Sequence, residues 1–474
     1  MPSALSSADT AWLHMDRPSN LMVINSVLLF DEQLDWDALT EVVRTRLVAP
    51  YPRFRQRVAE SRLGVGGPHW ERDPDFDLAR HLHRRGLSAP GDESALQALT
   101  GDLASIPLDR SKPLWEMYFI DGPRAGCAVI VRMHHCIADG IALAEVMLSL
   151  TDAAAQTPRR PANAVGPAAG AVDAAAGAVE SARRLTGALA HESARTLAHP
   201  GQRALALTDA VAADTRALAK FLLTPRDARS LLKRDLGTQR GVAWSRPLSL
   251  ERVKGIAHAQ GATVNDVLLA AVSGALRSYL LERGEEPHAV RTLVPVNLRP
   301  REQPVPDELG NRFGLVFLTL PVDRAARRER LHELELRMSA IKRSTEGPVS
   351  YALLEAAGLA PTEIERRIID FFTAKATAVM TNVPGPRETV YLAGSPLRTV
   401  LVWAPTAGSV GMSVSIFSYD GKITVGLLVH TTLVPDPGAI VERLQREVTA
   451  LGRLVPASRR PPDKRQRAAE HRSR

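Results

Sequence analysis

"VRMHHCIADGIALAEV", residues 131–146, sets two histidines side by side at the end of an apolar run, with Asp139 four residues after the second and Gly140 next. Ionisable rings beside an apolar run are costly to bury unless they are hydrogen-bonded or put to use. A metal site, a base for acyl transfer and a polar turn all fit. Upstream, "GCAVIVRM" (126–133) is rich in Val and Ile and reads as a buried strand. Downstream, Leu143, Val146, Met147 and Leu150 recur at helical spacing. The stretch is thus a strand-to-helix connection, a usual place for site residues in α/β folds. Adjacent side chains of extended backbone point to opposite faces, so only one of His134 and His135 can face a given channel. Metal-ligand pairs usually share a face, and no His, Cys or carboxylate cluster nearby completes a set. What remains functionally is a single histidine base, since a neutral imidazole can take a proton from a hydroxyl near neutral pH. With no serine elbow present, that hydroxyl belongs to the substrate. Cys136 reads as a small buried apolar residue, not a nucleophile. Gly140 lets the backbone bend and leaves room for a ligand. The competing reading makes Asp139 a helix cap and both histidines hydrogen-bonded core residues. On spacing alone the two readings stand level.

Working outward, "NLMVINSVLLFD" (20–31) reads as a strand and "DWDALTEVVRTRLV" (35–48) as a helix with Leu39, Val42, Val43 and Leu47 on one stripe. From Thr151 to Trp244 the composition turns to Ala and Arg, which reads as an interdomain crossover, part linker and part helix. Within it, "LAKFLLTPRDARSLLKR" (218–234) is amphipathic and basic, suited to packing on the protein or to lying on a membrane surface. Mixed α/β character then resumes. "GATVNDVLLAAVSGALRSYLLERG" (261–284) is a helix, with Thr263 and Asp266 spaced as a capping box. "SVGMSVSIFSYDGKITVGLLVHTT" (409–432) is a hairpin turning at Asp420-Gly421. The last helix begins at the cap Asp436 with Pro437 next and carries Ile440, Val441, Leu444 and Val448 on its apolar stripe.

With 474 residues the chain is too long for one ordinary core and implies two domains. We divide it into an N-terminal domain (1–150), the crossover (151–244), a C-terminal domain (245–455) and a basic, disordered tail (456–474). The net charge is +8, much of it in the tail "SRRPPDKRQRAAEHRSR". Such a balance suits phosphorylated ligands or an anionic membrane surface. No zinc-finger spacing or RNA-binding signature points to nucleic acid. The two cysteines, Cys127 and Cys136, give no disulfide framework, so a reducing compartment is expected. The N-terminus lacks the pattern of a signal peptide, and no apolar run of about 18 residues is there to span a bilayer.

Several stretches join the histidine motif: "KPLWEMYFIDG" with Pro113, Leu114 and Trp115; "TVNDVLLA" with Asn265 and Asp266; "VPVNLRPRE" with Arg299; "GNRFGLVFLTLP"; and "TNVPGP" with Asn382. Together they resemble the bacterial wax ester synthase/diacylglycerol acyltransferase family of the CoA-dependent acyltransferase superfamily. The likeness runs from "LSSADTAWLHMDRPSNLMVINSVLLFD" to the final helix and is poorest in the Ala-rich crossover. It implies an α/β fold of two chloramphenicol-acetyltransferase-like mixed-sheet domains with an active-site channel between them. It implies transfer of a long-chain acyl group from acyl-CoA, a co-substrate with no bound cofactor, to diacylglycerol or a fatty alcohol, without an acyl-enzyme. In that scheme His135 is the general base and His134 supports it. Asp139 is structural, held by Arg299. Asn265 serves the oxyanion or shapes the site. From their own residue types, Asp266 reads as a cap and Pro113, Leu114 and Trp115 as packing. In the channel that the resemblance implies, Asn382 shapes a turn of the lining, stiffened by Pro384 and Pro386. A condensation-type enzyme using carrier-bound acyl groups, and an inactive lipid-surface binding protein, are the alternative readings. The resemblance further implies a cytoplasmic protein, peripheral at the inner membrane or at lipid droplets.

Overall fold

The run before the two histidines is a strand, Cys127–His134, buried along its whole length. It lies between two antiparallel neighbours, Val23–Phe30 and Trp115–Asp121. The computed structural model describes residues 3–60, 67–122, 126–154, 214–299 and 306–454. In it the first sheet runs in the order Tyr391–Leu392, Ser395–Trp403, Val23–Phe30, Cys127–His134, Trp115–Asp121 and Leu82–Gly86. Its central strands are covered on both faces, which is why they read as continuous apolar runs.

The second sheet runs in the order Phe313–Leu320, Val290–Asn297, Ala378–Pro384, Met412–Tyr419, Lys422–His430 and Arg240–Trp244. The expected hairpin is present, and Asp420 and Gly421 both take positive φ, 47° and 68°, as the two-residue turn between twisted strands requires. Helices Val264–Leu281 and Pro437–Arg453 cover one face, packing Leu268, Leu276, Ile440 and Leu444 against Val414, Ile416, Val425 and Leu427. The capping box at Thr263 is formed: its hydroxyl accepts the Asp266 N–H at 3.2 Å and the Asp266 carboxylate accepts the Thr263 N–H at 2.9 Å. By length and composition this helix would suffice to cross a membrane, but it lies mostly buried in the second core. The opposite face of the second sheet meets the first, where Val242, Trp244 and Leu428 join Val27, Leu29, Ile130 and Trp403 in one cluster.

The sheets and the sequence divisions part in two places. Arg240–Trp244, inside the stretch read as crossover, is the edge strand of the second sheet. Tyr391–Leu392 and Ser395–Trp403, inside the stretch read as the C-terminal domain, belong to the first sheet, with Val400 opposite Leu28 and Trp403 opposite Asn25. Local apolar pattern reports burial, whereas the partner edge is a long-range choice. Residues 155–213 of the crossover and the tail from 455 lie outside the described residues. The amphipathic stretch 218–234 is helical only to residue 223, two before Pro225. Proline pushes the residue before it out of the helical region, and the chain beyond is irregular.

Candidate active site

The histidine strand ends where its neighbours still hold it. The His134 N–H donates to Leu114 O at 2.9 Å and the His135 N–H to Met22 O at 2.7 Å. The two rings then part as strand alternation requires. His134 Nδ1 accepts the Cys136 N–H at 3.1 Å, and its Nε2 lies 3.8 Å from the Asp16 carboxylate, which also holds the Met22 N–H. His135 enters the wall of an apolar cavity of about 1540 Å³, counted to its open mouth between the domains. Its ring stacks on Trp12 (centroids 4.2 Å apart, planes at 20°) and lies 5.4 Å from that of Phe313. Farther along, Phe221, Phe317 and Phe372 continue the apolar lining.

His135 is buried, and burial pulls its pKa down to about 4. The Asp139 carboxylate, its own backbone carbonyl and the Asn311 side chain act in the opposite direction without offsetting it. The ring is therefore neutral near pH 7, the form a general base needs. Its Nδ1 is buried without a hydrogen-bond partner, as is Asn311 Oδ1, leaving Nε2 as the nitrogen that meets the cavity. Asn311 is itself held: its Nδ2 donates to Asp9 Oδ1 and to His135 O, both at 2.7 Å. Cys136 next to this ring is fully buried, and burial pushes its thiol pKa well up, so it stays a protonated thiol.

Asp139 binds in three directions. One carboxylate oxygen accepts the Ala142 N–H at 2.9 Å, capping helix Gly140–Ser149. The other accepts the Arg312 N–H at 3.0 Å and pairs with Arg299 at 2.6 Å. Arg299 also donates to Gly310 O, and Ala138 bridges to Gly310. The carboxylate thus ties the motif turn to the second domain. Gly140 is not in the left-handed region, and a Cβ there would meet nothing within 4 Å. The bend expected of it is not what its lack of a side chain provides; open space in the cavity wall is.

Of the remaining predicted residues, Leu114 and Trp115 are core, and Pro113 is buried beside them. Trp115 donates to Phe54 O at 3.0 Å and stacks on His81. Asn382 lines the cavity and donates to Asn265 Oδ1 at 2.9 Å, and Asn265 is not itself among the described lining residues. Asp266 is the cap described above. Among the described residues no group of three or more His, Cys, Asp or Glu is placed to hold a metal. Sequence reasoning missed Asp9, Trp12, Asn311 and Phe313. Each lies in a quoted stretch, but no spacing rule links positions 9, 12, 311 and 313 to position 135.

The chain matches the profile of the wax ester synthase/diacylglycerol acyltransferase catalytic domain over residues 5–268 and that of the family's C-terminal domain over 309–452. The chain belongs to this family. Among its relatives is a Mycobacterium tuberculosis protein named as a probable diacylglycerol O-acyltransferase, 28% identical over 468 residues and covering 96% of each chain. Among solved structures, the Marinobacter aquaeolei wax ester synthase/diacylglycerol acyltransferase shares the fold with a TM-score of 0.67 at 19% identity, over 95% of this chain and 98% of that one. A starter condensation domain of rhizomide synthetase, solved with C8-CoA and Leu-SNAC, matches with a TM-score of 0.56 at 14% identity, over 97% and 96%. The two-domain acyltransferase fold expected from the motifs is thus the fold present, and the family assignment places His135 in an acyltransferase.

Proposed function

We propose that the protein is an acyl-CoA-dependent O-acyltransferase that esterifies a diacylglycerol or a fatty alcohol with a long-chain acyl group, yielding triacylglycerol or wax ester. The observation that carries this reading is a neutral, buried histidine in the wall of an apolar interdomain cavity. The acceptor hydroxyl gives its proton to His135 Nε2 as its oxygen attacks the thioester carbonyl carbon. The carbonyl electron pair moves onto oxygen, then returns as the C–S bond breaks. The leaving thiolate takes the proton from His135 and departs as free CoA. The oxyanion needs a preorganised donor. Asn382 faces the cavity and has a second N–H to offer while the first is held by Asn265. The basic surplus suits the CoA phosphates.

The test offers purified protein one long-chain acyl-CoA with a mixture of diacylglycerol and fatty alcohols, and follows free thiol and ester products. We expect thiol release in step with ester formation, lowered about 10²–10⁴-fold by His135→Ala, the usual worth of a general base. Full turnover by His135→Ala overturns the mechanism. Activity with a phosphopantetheinyl carrier protein but not with CoA overturns the choice of donor.

A further inference from the structure

A second cavity, about 860 Å³ to its mouth, lies behind the catalytic one, between helix Gly140–Ser149, the first sheet and the 383–390 segment. Ile24, Gly140, Ala144, Val383 and Val402 line both cavities. At this shared wall the motif helix presents almost no side chain. Gly140 faces open space, as its missing Cβ showed, and Ala144 follows one turn later on the same face. The partition is therefore thinnest beside the motif that carries His135.

Among the described residues, the lining of the second cavity holds no charged side chain. Its hydroxyls are largely committed to the protein. Tyr419 Oη donates to Leu397 O and accepts the Val390 N–H, both at 2.9 Å, and Thr151 Oγ1 donates to Leu148 O at 2.8 Å. Ser26 adds one further hydroxyl, and the rest is aliphatic or aromatic, including Leu143, Met147, Leu397 and Phe417. Such a space has nothing to recognise in a phosphate, a sugar or a glycerol backbone, whereas each methylene entering it gains from leaving water. We infer that the second cavity is a tail site for one long hydrocarbon chain of a substrate, which passes Gly140 and Ala144 while its reacting end stays at His135. This rests on the acyl-transfer reading above. Each buried methylene is worth about fourfold in binding.

The experiment measures kcat/KM for two series with the full chain: acyl-CoAs from short to long against one alcohol, and alcohols from short to long against one acyl-CoA. Met147→Trp and Val390→Phe fill the tail site from opposite walls, so failure of one variant to fold leaves the other. Both should keep the wild-type rate on the shortest substrates and lose about tenfold or more on the longest, the share of two or three methylenes. A fall confined to the acyl-CoA series makes the occupant the acyl chain; a fall confined to the alcohol series makes it the acceptor chain. Unchanged long-chain rates in both series, in a folded variant, overturn the tail site. Absence of thiol release from the wild type would instead overturn the transfer reading on which it rests.

Discussion

At His135 burial and the surrounding charges oppose each other, and burial dominates. With a pKa near 4 in the folded chain, the base is unprotonated across the neutral range, so kcat/KM should be flat there and fall only toward pH 4. The same shift acts on stability. The folded pKa lies below the unfolded value of about 6.5, so the unfolded chain takes up the proton first as pH falls. His430, pulled to about 3 by burial and by Arg240, acts in the same direction. Stability is therefore full above about pH 6.5 and declines progressively below it, which urea titrations at a series of pH values would show. Asn311 governs the other side of the ring. Nδ1 and Asn311 Oδ1 are both buried and make no other hydrogen bond, and the Asn311 side chain raises the ring's pKa, so a proton on Nδ1 facing Oδ1 is the favoured form, with the lone pair on Nε2. Asn311→Ala should lower kcat about tenfold or more while KM holds, because the wrong tautomer then competes. Nitrogen-15 spectra of the ring would report the tautomer directly, and an unchanged tautomer with wild-type kcat would count against this role. That only one of the two histidines faces the cavity was legible from strand alternation, and that it is His135 followed from the family resemblance. That Trp12 and Phe313 flank it was not, because those contacts join residues far apart in the chain.

Among the elements, the strand–turn–helix unit at 127–149 shows how far local pattern reaches. The strand, the helix and the cap at Asp139 follow from apolar spacing and from an aspartate just before a helix. The pairing of Asp139 with Arg299 needs the second domain in place and was anticipated only through the family resemblance. An ion pair this deeply buried is costly to break, since the remaining charge is left without its counter-ion. Asp139→Asn keeps the cap but loses the charge. It should cost about 3 kcal/mol in urea unfolding, the lower end for a broken buried pair, and move the acid limb of the pH–rate profile only toward lower pH, because the carboxylate holds the His135 pKa up. A normally stable variant with kcat lowered across the neutral range would assign Asp139 to the chemistry instead. The 391–403 strands show the opposite limit: their departure to the first sheet is a matter of which edge was open, and nothing local to them records it.

Across the whole molecule, an exposed apolar rim lies next to residues that line the catalytic cavity. Leu222 and Leu223, at the end of the helical run 214–223, are 50% and 80% exposed, and Phe371 on helix Thr362–Thr373 is 45% exposed. Lys375 joins them, donating to the carbonyls of Phe221 and Leu222 while its ammonium lies 3.7 Å from the Phe371 ring centroid. Phe221 and Phe372, the chain neighbours of these exposed residues, line the catalytic cavity. We propose that a lipid surface set against this rim delivers apolar substrates to the cavity. Leu223→Ser and Phe371→Ser should each weaken binding of the full chain to anionic vesicles roughly tenfold, the share of one buried large apolar side chain. Unchanged partition would place any lipid contact elsewhere. The strand and helix periods, the caps, the hairpin turn and, through the joined motifs, the family are legible along the chain, because they depend on residues near one another or on short patterns. Which strand completes which sheet, what flanks and tunes the His135 ring, and where the space beside Gly140 leads are settled only in the folded molecule. Those depend on packing and desolvation between segments far apart in the chain, which spacing along the chain does not encode.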